Sequence, residues 1–151
     1  CQDAAEIDLY GTVDAAYCSL DGINYIPPED LQTVFHRLRY FIRPDGLLLF
    51  DVHLPEWFRS LDGKIFVDES DDIFCLWRAD YDDKARAVIY GMDLFERQGK
   101  LWRRSGEEHV EYAHEPEALR SLLEQLGYRD VRLLKDGPQP GGGRLFITAV
   151  R

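Results

Sequence analysis

Polar side chains that can bind ligands or move protons follow two apolar runs of the sequence. Ser19, Asp21 and Asn24 come directly after the first run, and Asp51 and His53 end the second. A carboxylate or an imidazole can accept a proton from a substrate, and the amide of an asparagine can both donate and accept hydrogen bonds. These residue types therefore indicate polar recognition of a small molecule, or proton transfer to and from one.

The elements that position these side chains form one predicted βαβ unit. Residues 13–19 form a short apolar run typical of a strand covered on both faces. Residues 27–30 (P-P-E-D) begin a helix, residues 43–46 (R-P-D-G) end it and turn the chain, and residues 47–52 form the next buried strand. Because ligands bind at the carboxyl ends of parallel strands, the polar residues lie where chemistry is expected.

Each of these residues could also have a purely structural role, and the sequence leaves this open. Aspartate, glycine and asparagine are good turn formers, so Asp21, Gly22 and Asn24 could simply shape a turn. Asp51 could cap the helix that follows it, and Asn24 could anchor its own loop. For each of these residues, the sequence is compatible with a structural role and with a functional one.

The composition excludes several classes of function. The chain has 151 residues with 45% hydrophobic and 30% charged, which fits a globular domain, and a net charge of −10, which repels phosphate backbones. No apolar stretch approaches the roughly 20 residues needed to span a membrane. The three cysteines are far apart and form no CxxC pair, which is typical of reduced thiols in a cytoplasmic protein. We expect no nucleic-acid partner, no membrane partner and no metal.

The rest of the chain changes character twice. Residues 55–113 contain several β-like runs rich in aromatic side chains, which predict an inserted antiparallel sheet. Residues 114–151 return to a helix, beginning at Pro116, and two strands at residues 128–134 and 144–150. Because the link between these strands is too short for a crossover helix, they should pair antiparallel. The predicted regions are therefore 1–54, 55–113 and 114–151.

Three motifs resemble those of class I S-adenosylmethionine-dependent methyltransferases. C-Q-D-A at residues 1–4 looks like the end of the family's third strand, and D-A-A-Y-C-S-L-D-G-I-N-Y at residues 14–25 looks like the fourth strand and its loop. R-P-D-G-L-L-L-F-D at residues 43–51 looks like the turn and fifth strand. The resemblance implies an α/β, Rossmann-like sheet, mostly parallel, with a terminal antiparallel hairpin. It also implies that the first strands and the glycine-rich cofactor loop are absent, so that the chain is the C-terminal part of such an enzyme.

The resemblance also implies a set of site residues. The cofactor is S-adenosylmethionine, with Asp3 and Ala4 at the adenine, and Ser19 and Leu20 near the sulfonium end. The catalytic candidates are Asp21, Asn24 and His53, with Asp51 as a further proton acceptor. The candidates for substrate binding are Asn24 and the aromatic residues Tyr25, Trp57, Trp77 and Tyr90. The rings of these aromatic residues could hold a cationic or planar molecule. We expect the substrate between the loop at residues 19–25 and the inserted sheet.

Three functional hypotheses follow. The first is methyl transfer to a small molecule, with this chain alone inactive and binding the cofactor weakly or not at all. The second is a non-catalytic binding or dimerisation module derived from the same fold, and a homodimer is compatible with either. The third is a nicotinamide-dependent reductase, against which the terminal hairpin and the inserted aromatic sheet argue. The sequence does not identify the substrate or its accepting atom.

Overall fold

The computed structural model describes residues 1–135 and 143–151, which form two compact units. The first unit comprises Cys1–Pro55 and His114–Arg151, and the second comprises Glu56–Ala113. Most of the predicted loop between the last two strands, at residues 136–142, lies outside the described residues. The predicted roles of the three sequence regions stay predictions.

The secondary-structure elements alternate in the first unit and are mainly strands in the second. In chain order they are β1 (Val13–Cys18), a 3-10 turn (Gly22–Tyr25), α1 (Leu31–Phe41), β2 (Ile42–His53), α2 (Pro55–Ser60), β3 (Lys64–Glu69), β4 (Ile73–Asp82), β5 (Ala87–Gln98), β6 (Leu101–Tyr112), α3 (Pro116–Gln125), β7 (Arg129–Leu134) and β8 (Arg144–Val150). The longest helix in the described part of the chain has 11 residues, and none of these helices is long and apolar enough to cross a membrane.

The sheet of the first unit has the strand order β1-β2-β8-β7. β1 and β2 pair parallel across helix α1, and β7 and β8 pair antiparallel, so both predicted pairings are confirmed. The prediction of a mostly parallel, Rossmann-like sheet stays a prediction, with β1, β2 and β7 running in one direction among the four described strands. Because β8 lies between β2 and β7 and runs against both, two of the three strand pairs are antiparallel.

The core of the first unit forms where helices α1 and α3 cover this sheet. Phe35 of α1 lies with its ring centroid 5.4 Å from that of Phe50 in β2, and both side chains are fully buried. The hydroxyl of Tyr128 donates to the Phe35 carbonyl at 3.0 Å, and burial raises the pKa of this hydroxyl far above its ordinary value. This bond ties the start of β7 to the middle of α1.

Two predicted boundaries around α1 are corrected. The helix begins at Leu31, because residues 27–30 form a separate turn closed by the Asp30 N–H donating to the Pro27 carbonyl at 3.0 Å. The predicted turn at residues 43–46 is an irregular part of β2, where five residues of β2 advance against two of β1. Gly46 is required there, since a Cβ atom would lie 2.7 Å from the Asp14 carbonyl oxygen.

Strand β1 is less buried than its apolar composition predicts. Val13, Ala16 and Cys18 pack against the core, whereas Tyr17 on the opposite face is 64% exposed. The prediction that both faces are covered is therefore wrong for the described residues. Since β1 pairs with β2 alone in the described sheet, it has an open edge as well as an open face.

The second unit is an antiparallel meander with the order β3-β4-β5-β6. The predicted inserted antiparallel sheet is thus present, and successive strands are joined by short turns. Its small core comprises Phe58, Leu61, Ala79, Val88 and Ala113. On the sheet, Asp93 accepts from Arg78 at 3.2 Å and from Arg104 at 2.6 Å.

Candidate functional site

The loop after β1 has an unusual backbone. Leu20 and Asp21 both adopt left-handed conformations, with φ of 57° and 54°. The N–H of Asn24 then donates to the Asp21 carbonyl at 2.7 Å, which starts the 3-10 turn. Non-glycine residues in this region cost roughly 1 kcal/mol or more each, and such strain concentrates at functional sites. The surrounding contacts must therefore hold this loop in place.

The guanidinium of Arg144, at the start of β8, contacts side chains from the end of β2 and from the loop after β1. Its Nη1 donates to Asp51 Oδ2 at the end of β2 and to Asp21 Oδ1 at 3.1 Å in the loop after β1. Its Nη2 lies 3.0 Å from His53 Nε2. The side chains of Arg144, Asp21 and Asp51 are 17%, 15% and 3% exposed. We call Asp21, Asp51, His53 and Arg144 the Arg144 cluster.

Two hydrogen bonds from backbone N–H groups to side-chain oxygens latch the loop to the end of β2. The N–H of Asp21 donates to Asp51 Oδ2 at 3.1 Å, and the N–H of His53 donates to Asn24 Oδ1 at 2.9 Å. Asn24 is fully buried. Because its amide oxygen satisfies a buried N–H, the anchoring role that the sequence left open is the role that the structure favours for Asn24.

The pKa values of His53 and Arg144 depend on their burial and on the neighbouring charges of Asp21 and Asp51. Burial and the positive charge of Arg144 lower the pKa of His53, against the opposing effects of Asp21, Asp51 and the Gly143 carbonyl. Burial disfavours the charged form of Arg144, but its hydrogen bonds and charge interactions with Asp51 and Asp21 outweigh this, so its pKa is raised. Near neutral pH the imidazole is therefore uncharged and the guanidinium is charged.

A groove of about 360 Å³ opens beside the 3-10 turn. Its lining includes Asp3 and Ala4 from the predicted adenine contacts, Tyr25 from the predicted substrate contacts, and Cys18 and Ile23. Burial, followed by the charges of Asp51 and Asp21, raises the pKa of the Cys18 thiol, so it stays protonated. Because several of its lining residues are apolar, the groove can take a ligand with apolar parts.

The predicted cofactor contacts differ in where the structure places them. Asp3 Oδ1 accepts from the N–H of Ala5 at 2.7 Å, so this carboxylate stabilises a local turn as well as lining the groove. Ser19 and Leu20 are exposed and do not line the groove. Their assignment to the sulfonium end of the cofactor stays a prediction.

The predicted aromatic contacts lie in two different units. Tyr25 belongs to the first unit, and Trp57, Trp77 and Tyr90 belong to the second. In the strand register Tyr90 pairs with Ala79, two residues from Trp77, so Trp77 and Tyr90 lie diagonally on one face of the sheet. The structure thus brings these two rings to one surface, whereas Trp57 lies on helix α2.

Two further histidines, His109 and His114, also have hydrogen-bonding partners. His114 Nε2 lies 3.0 Å from the Ile26 carbonyl oxygen, and His109 Nε2 lies 3.3 Å from Glu107 Oε2. Within residues 1–135 and 143–151, no three His, Cys, Asp or Glu side chains gather in an arrangement that could hold a metal ion.

Arg144 is the site residue that the sequence reasoning missed. The sequence pattern marks it only as the first residue of the last strand, after a glycine-rich loop. The antiparallel register of β2 and β8 places Arg144 directly opposite His53. A signal was therefore present, because antiparallel pairing of the last strand with β2 sets a cation beside the acid and the histidine that close β2.

The comparisons with known proteins agree on one fold. The chain is 28% identical over 158 aligned residues to the Bacillus subtilis (strain 168) protein named "Putative methyltransferase YqeM". It matches the crystal structure of an S-adenosylmethionine-dependent methyltransferase from Clostridium acetobutylicum ATCC 824 with a TM-score of 0.85 and 22% identity. It also matches CalS10, an amino pentose methyltransferase from Micromonospora echinaspora with SAM bound, with a TM-score of 0.78 and 17% identity. No protein-family model matches the sequence.

These matches cover almost all of this chain but only part of each relative. They cover 98% of this chain for the Bacillus protein and 99% for the two structures, and 63% of each of those proteins. The chain thus spans less than two thirds of the length of the proteins that it resembles. The resemblance to class I S-adenosylmethionine-dependent methyltransferases is confirmed, and the chain has their fold.

Proposed function

We propose that this chain takes part in methyl transfer from S-adenosylmethionine to a small molecule. The observation that carries the proposal is the Arg144 cluster, latched at the carboxyl ends of β1 and β2 within this fold. The groove beside it offers a place for the cofactor, with Asp3 and Ala4 at its edge. A non-catalytic module is not favoured, because the proteins that share the fold are named as methyltransferases.

In methyl transfer the main task of the protein is to align the reacting groups. Methyl transfer is an in-line displacement at a carbon that the sulfonium already activates, so the enzyme holds nucleophile, methyl and sulfur in line and excludes water. A strained loop latched at both ends suits this task, since small errors in position are costly. In this proposal Asp3 and Ala4 hold the adenine, and Ser19 and Leu20 lie near the methionine part.

A substrate whose nucleophile carries a proton also needs a proton acceptor. Asp21, Asp51 and His53 are the titratable side chains of the Arg144 cluster, and Asn24 holds the end of β2 in position. Asp51 Oδ1 is buried and has no hydrogen-bond partner among the described residues, so it could accept such a proton. Tyr25, Trp57, Trp77 and Tyr90 stay proposed as contacts to a cationic or planar substrate.

The test uses the protein as its gene encodes it. Radiolabelled S-adenosylmethionine is supplied with pools of small amines and alcohols, and transfer of label and formation of S-adenosylhomocysteine are measured. We expect label transfer to at least one small molecule, and loss of it in Asp51→Ala with the fold retained. Tight cofactor binding without any transfer would instead support the non-catalytic module.

The 151-residue chain by itself is expected to bind S-adenosylmethionine weakly or not at all. The motivation is that the chain matches only 63% of each relative, and that the resemblance implies further cofactor contacts, including a glycine-rich loop, in the part that it does not span. Titration calorimetry measures this binding directly. A micromolar dissociation constant or tighter would show that these residues hold a complete cofactor site.

A further inference from the structure

We propose that Arg144 is a positioning residue that holds Asp21 and Asp51 side by side and keeps the imidazole of His53 uncharged, with Nε2 as a hydrogen-bond acceptor. The role of this arrangement in catalysis rests on the proposed function, but the arrangement itself does not. It follows from the donors and acceptors that the structure places together.

The hydrogen bond between Arg144 and His53 has a defined direction. A guanidinium has five N–H donors and no acceptor. With Nη2 at 3.0 Å from Nε2, the hydrogen bond therefore runs from arginine to histidine, and Nε2 carries no proton. The ring proton is then on Nδ1, and the ring is neutral.

Charged groups from three segments surround the imidazole ring of His53. The charged groups that face it are Arg144 from β8, Asp21 from the loop after β1 and Asp51 from β2, and the Gly143 carbonyl faces it as well. Asp21 Oδ2 lies 3.6 Å from Nε2 and would attract a proton there. Arg144 opposes this attraction, because its charge repels a protonated ring and its N–H already occupies the lone pair. Removing Arg144 would leave His53 between two carboxylates.

The hydrogen bond from Arg144 to His53 limits what His53 can do in the proposed reaction. While Arg144 donates to Nε2, that lone pair is not available to a substrate. His53 then acts through Arg144, as the acceptor that fixes the guanidinium, whereas Asp51 Oδ1 is buried and has no hydrogen-bond partner among the described residues. Asp51 is therefore the stronger candidate for the proton acceptor and His53 the weaker one, a choice that the sequence alone left open.

The decisive experiment observes the imidazole directly. Histidine-selective ¹⁵N labelling of the full protein reports the tautomer and titration of each ring, and His53→Gln identifies the signals of His53. We expect Nε2 of His53 to be unprotonated at about pH 7.5, and the ring to titrate below its ordinary pKa of 6.5. The measurement needs neither cofactor nor turnover, so it stands even if no methyl transfer is found.

Variants of Arg144 then test the cause. In Arg144→Gln the pKa of His53 should rise relative to that of the wild type, because the charges of Asp21 and Asp51 are then no longer opposed by Arg144. Arg144→Lys keeps the charge but cannot donate to three acceptors with the same geometry, and should move the pKa less. Arg129→Gln is the matched control, because Arg129 pairs with Val150 at the other end of β8 and forms an exposed ion pair with Asp45.

Two outcomes would overturn the proposal. One is a wild-type His53 that titrates at or above its ordinary value, or that carries its proton on Nε2. The other is an unchanged titration in Arg144→Gln. If that variant does not fold, the wild-type tautomer and the Arg144→Lys titration still decide the matter.

Measurements of turnover distinguish a positioning role of His53 from a role as general base. The glutamine introduced by His53→Gln can accept from Arg144 through its amide oxygen, so this variant should keep turnover within about tenfold, whereas loss of a general base costs about 10²–10⁴-fold. His53→Leu removes the acceptor and should lose more activity than His53→Gln. Equal and complete loss in both variants, with cofactor binding retained, would assign the proton transfer to His53 itself.

Discussion

The two units each contain a cluster of aspartate and arginine, and the clusters differ in burial and in origin. In the Arg144 cluster one arginine meets two acids and an imidazole, and the side chain of Asp51 is 3% exposed. In the second unit Asp93 lies between Arg78 and Arg104, whose side chains are 50% and 65% exposed. We call these three residues the Asp93 cluster.

The origin of the partners explains the difference. The Asp93 cluster joins neighbouring strands of one meander, with partners only 11 and 15 residues apart. The Arg144 cluster joins residues 93 and 123 apart, from two strand ends and a loop. Exposed pairs on a sheet are screened by water and contribute little, whereas a buried cluster becomes costly when one partner is lost. Similar residue types thus support a sheet surface in one unit and organise a site in the other.

The largest expected effect comes from removing the two arginines in turn. Arg144→Met should lower the free energy of unfolding by about 3 kcal/mol, because it leaves two mostly buried carboxylates without their cation. Arg104→Met, the matched change in the Asp93 cluster, should cost about 1 kcal/mol or less. Urea unfolding of both variants measures the difference. Equal losses would mean that burial does not distinguish the clusters.

The latch between the loop and β2 gives the next effect. Asn24→Ala should lower the free energy of unfolding by about 2 kcal/mol, since it leaves the buried N–H of His53 without its acceptor. Ser19→Ala is the control, because Ser19 is exposed in the same loop and should change stability by less than about 0.5 kcal/mol. Thermal and urea unfolding test both. A stable Asn24→Ala protein without activity would restore Asn24 as a substrate contact.

Much of the fold could be predicted from local patterns. The bounds of β8 at Arg144–Val150 match the predicted ones, because apolar residues and the turn residues before them mark this strand clearly. The irregular start of β2 could not be predicted, since its turn-like residues are drawn into the sheet by pairing with β1. Local propensity yields to tertiary pairing there.

The candidate site could be predicted only in part, for a related reason. The polar residues that end β1 and β2 were identifiable, because the carboxyl ends of parallel strands meet at one edge. Their hydrogen-bond partners were not, since Arg144 reaches Asp21 across 123 residues of sequence. The left-handed backbone of Leu20 also leaves no signal, because leucine rarely adopts it.

The titration of His53 gives a smaller, pH-dependent effect. Its pKa is lowered in the folded protein by burial and by Arg144, so the unfolded chain binds more protons between that lowered value and 6.5. His53 therefore costs stability as the pH falls below 6.5, and this cost is absent above it. The free energy of unfolding of His53→Gln should fall less than that of the wild type between about pH 7.5 and pH 5.5. Parallel pH curves for the two proteins would contradict the neutral, buried ring.

The smallest expected effect is the response of the Asp93 cluster to salt. Asp93→Asn removes the charge that Arg78 and Arg104 share, and because both arginines reach solvent, the loss should be about 1 kcal/mol or less. In about 1 M salt the Debye length falls to roughly 3 Å, so the difference between Asp93→Asn and wild type should shrink further. Asp51→Asn, in the Arg144 cluster, should keep most of its loss under the same conditions, since its partners are shielded from ions. Urea unfolding at low and high salt compares the two variants, and an equal salt response in both would show that the Arg144 cluster is open to solvent.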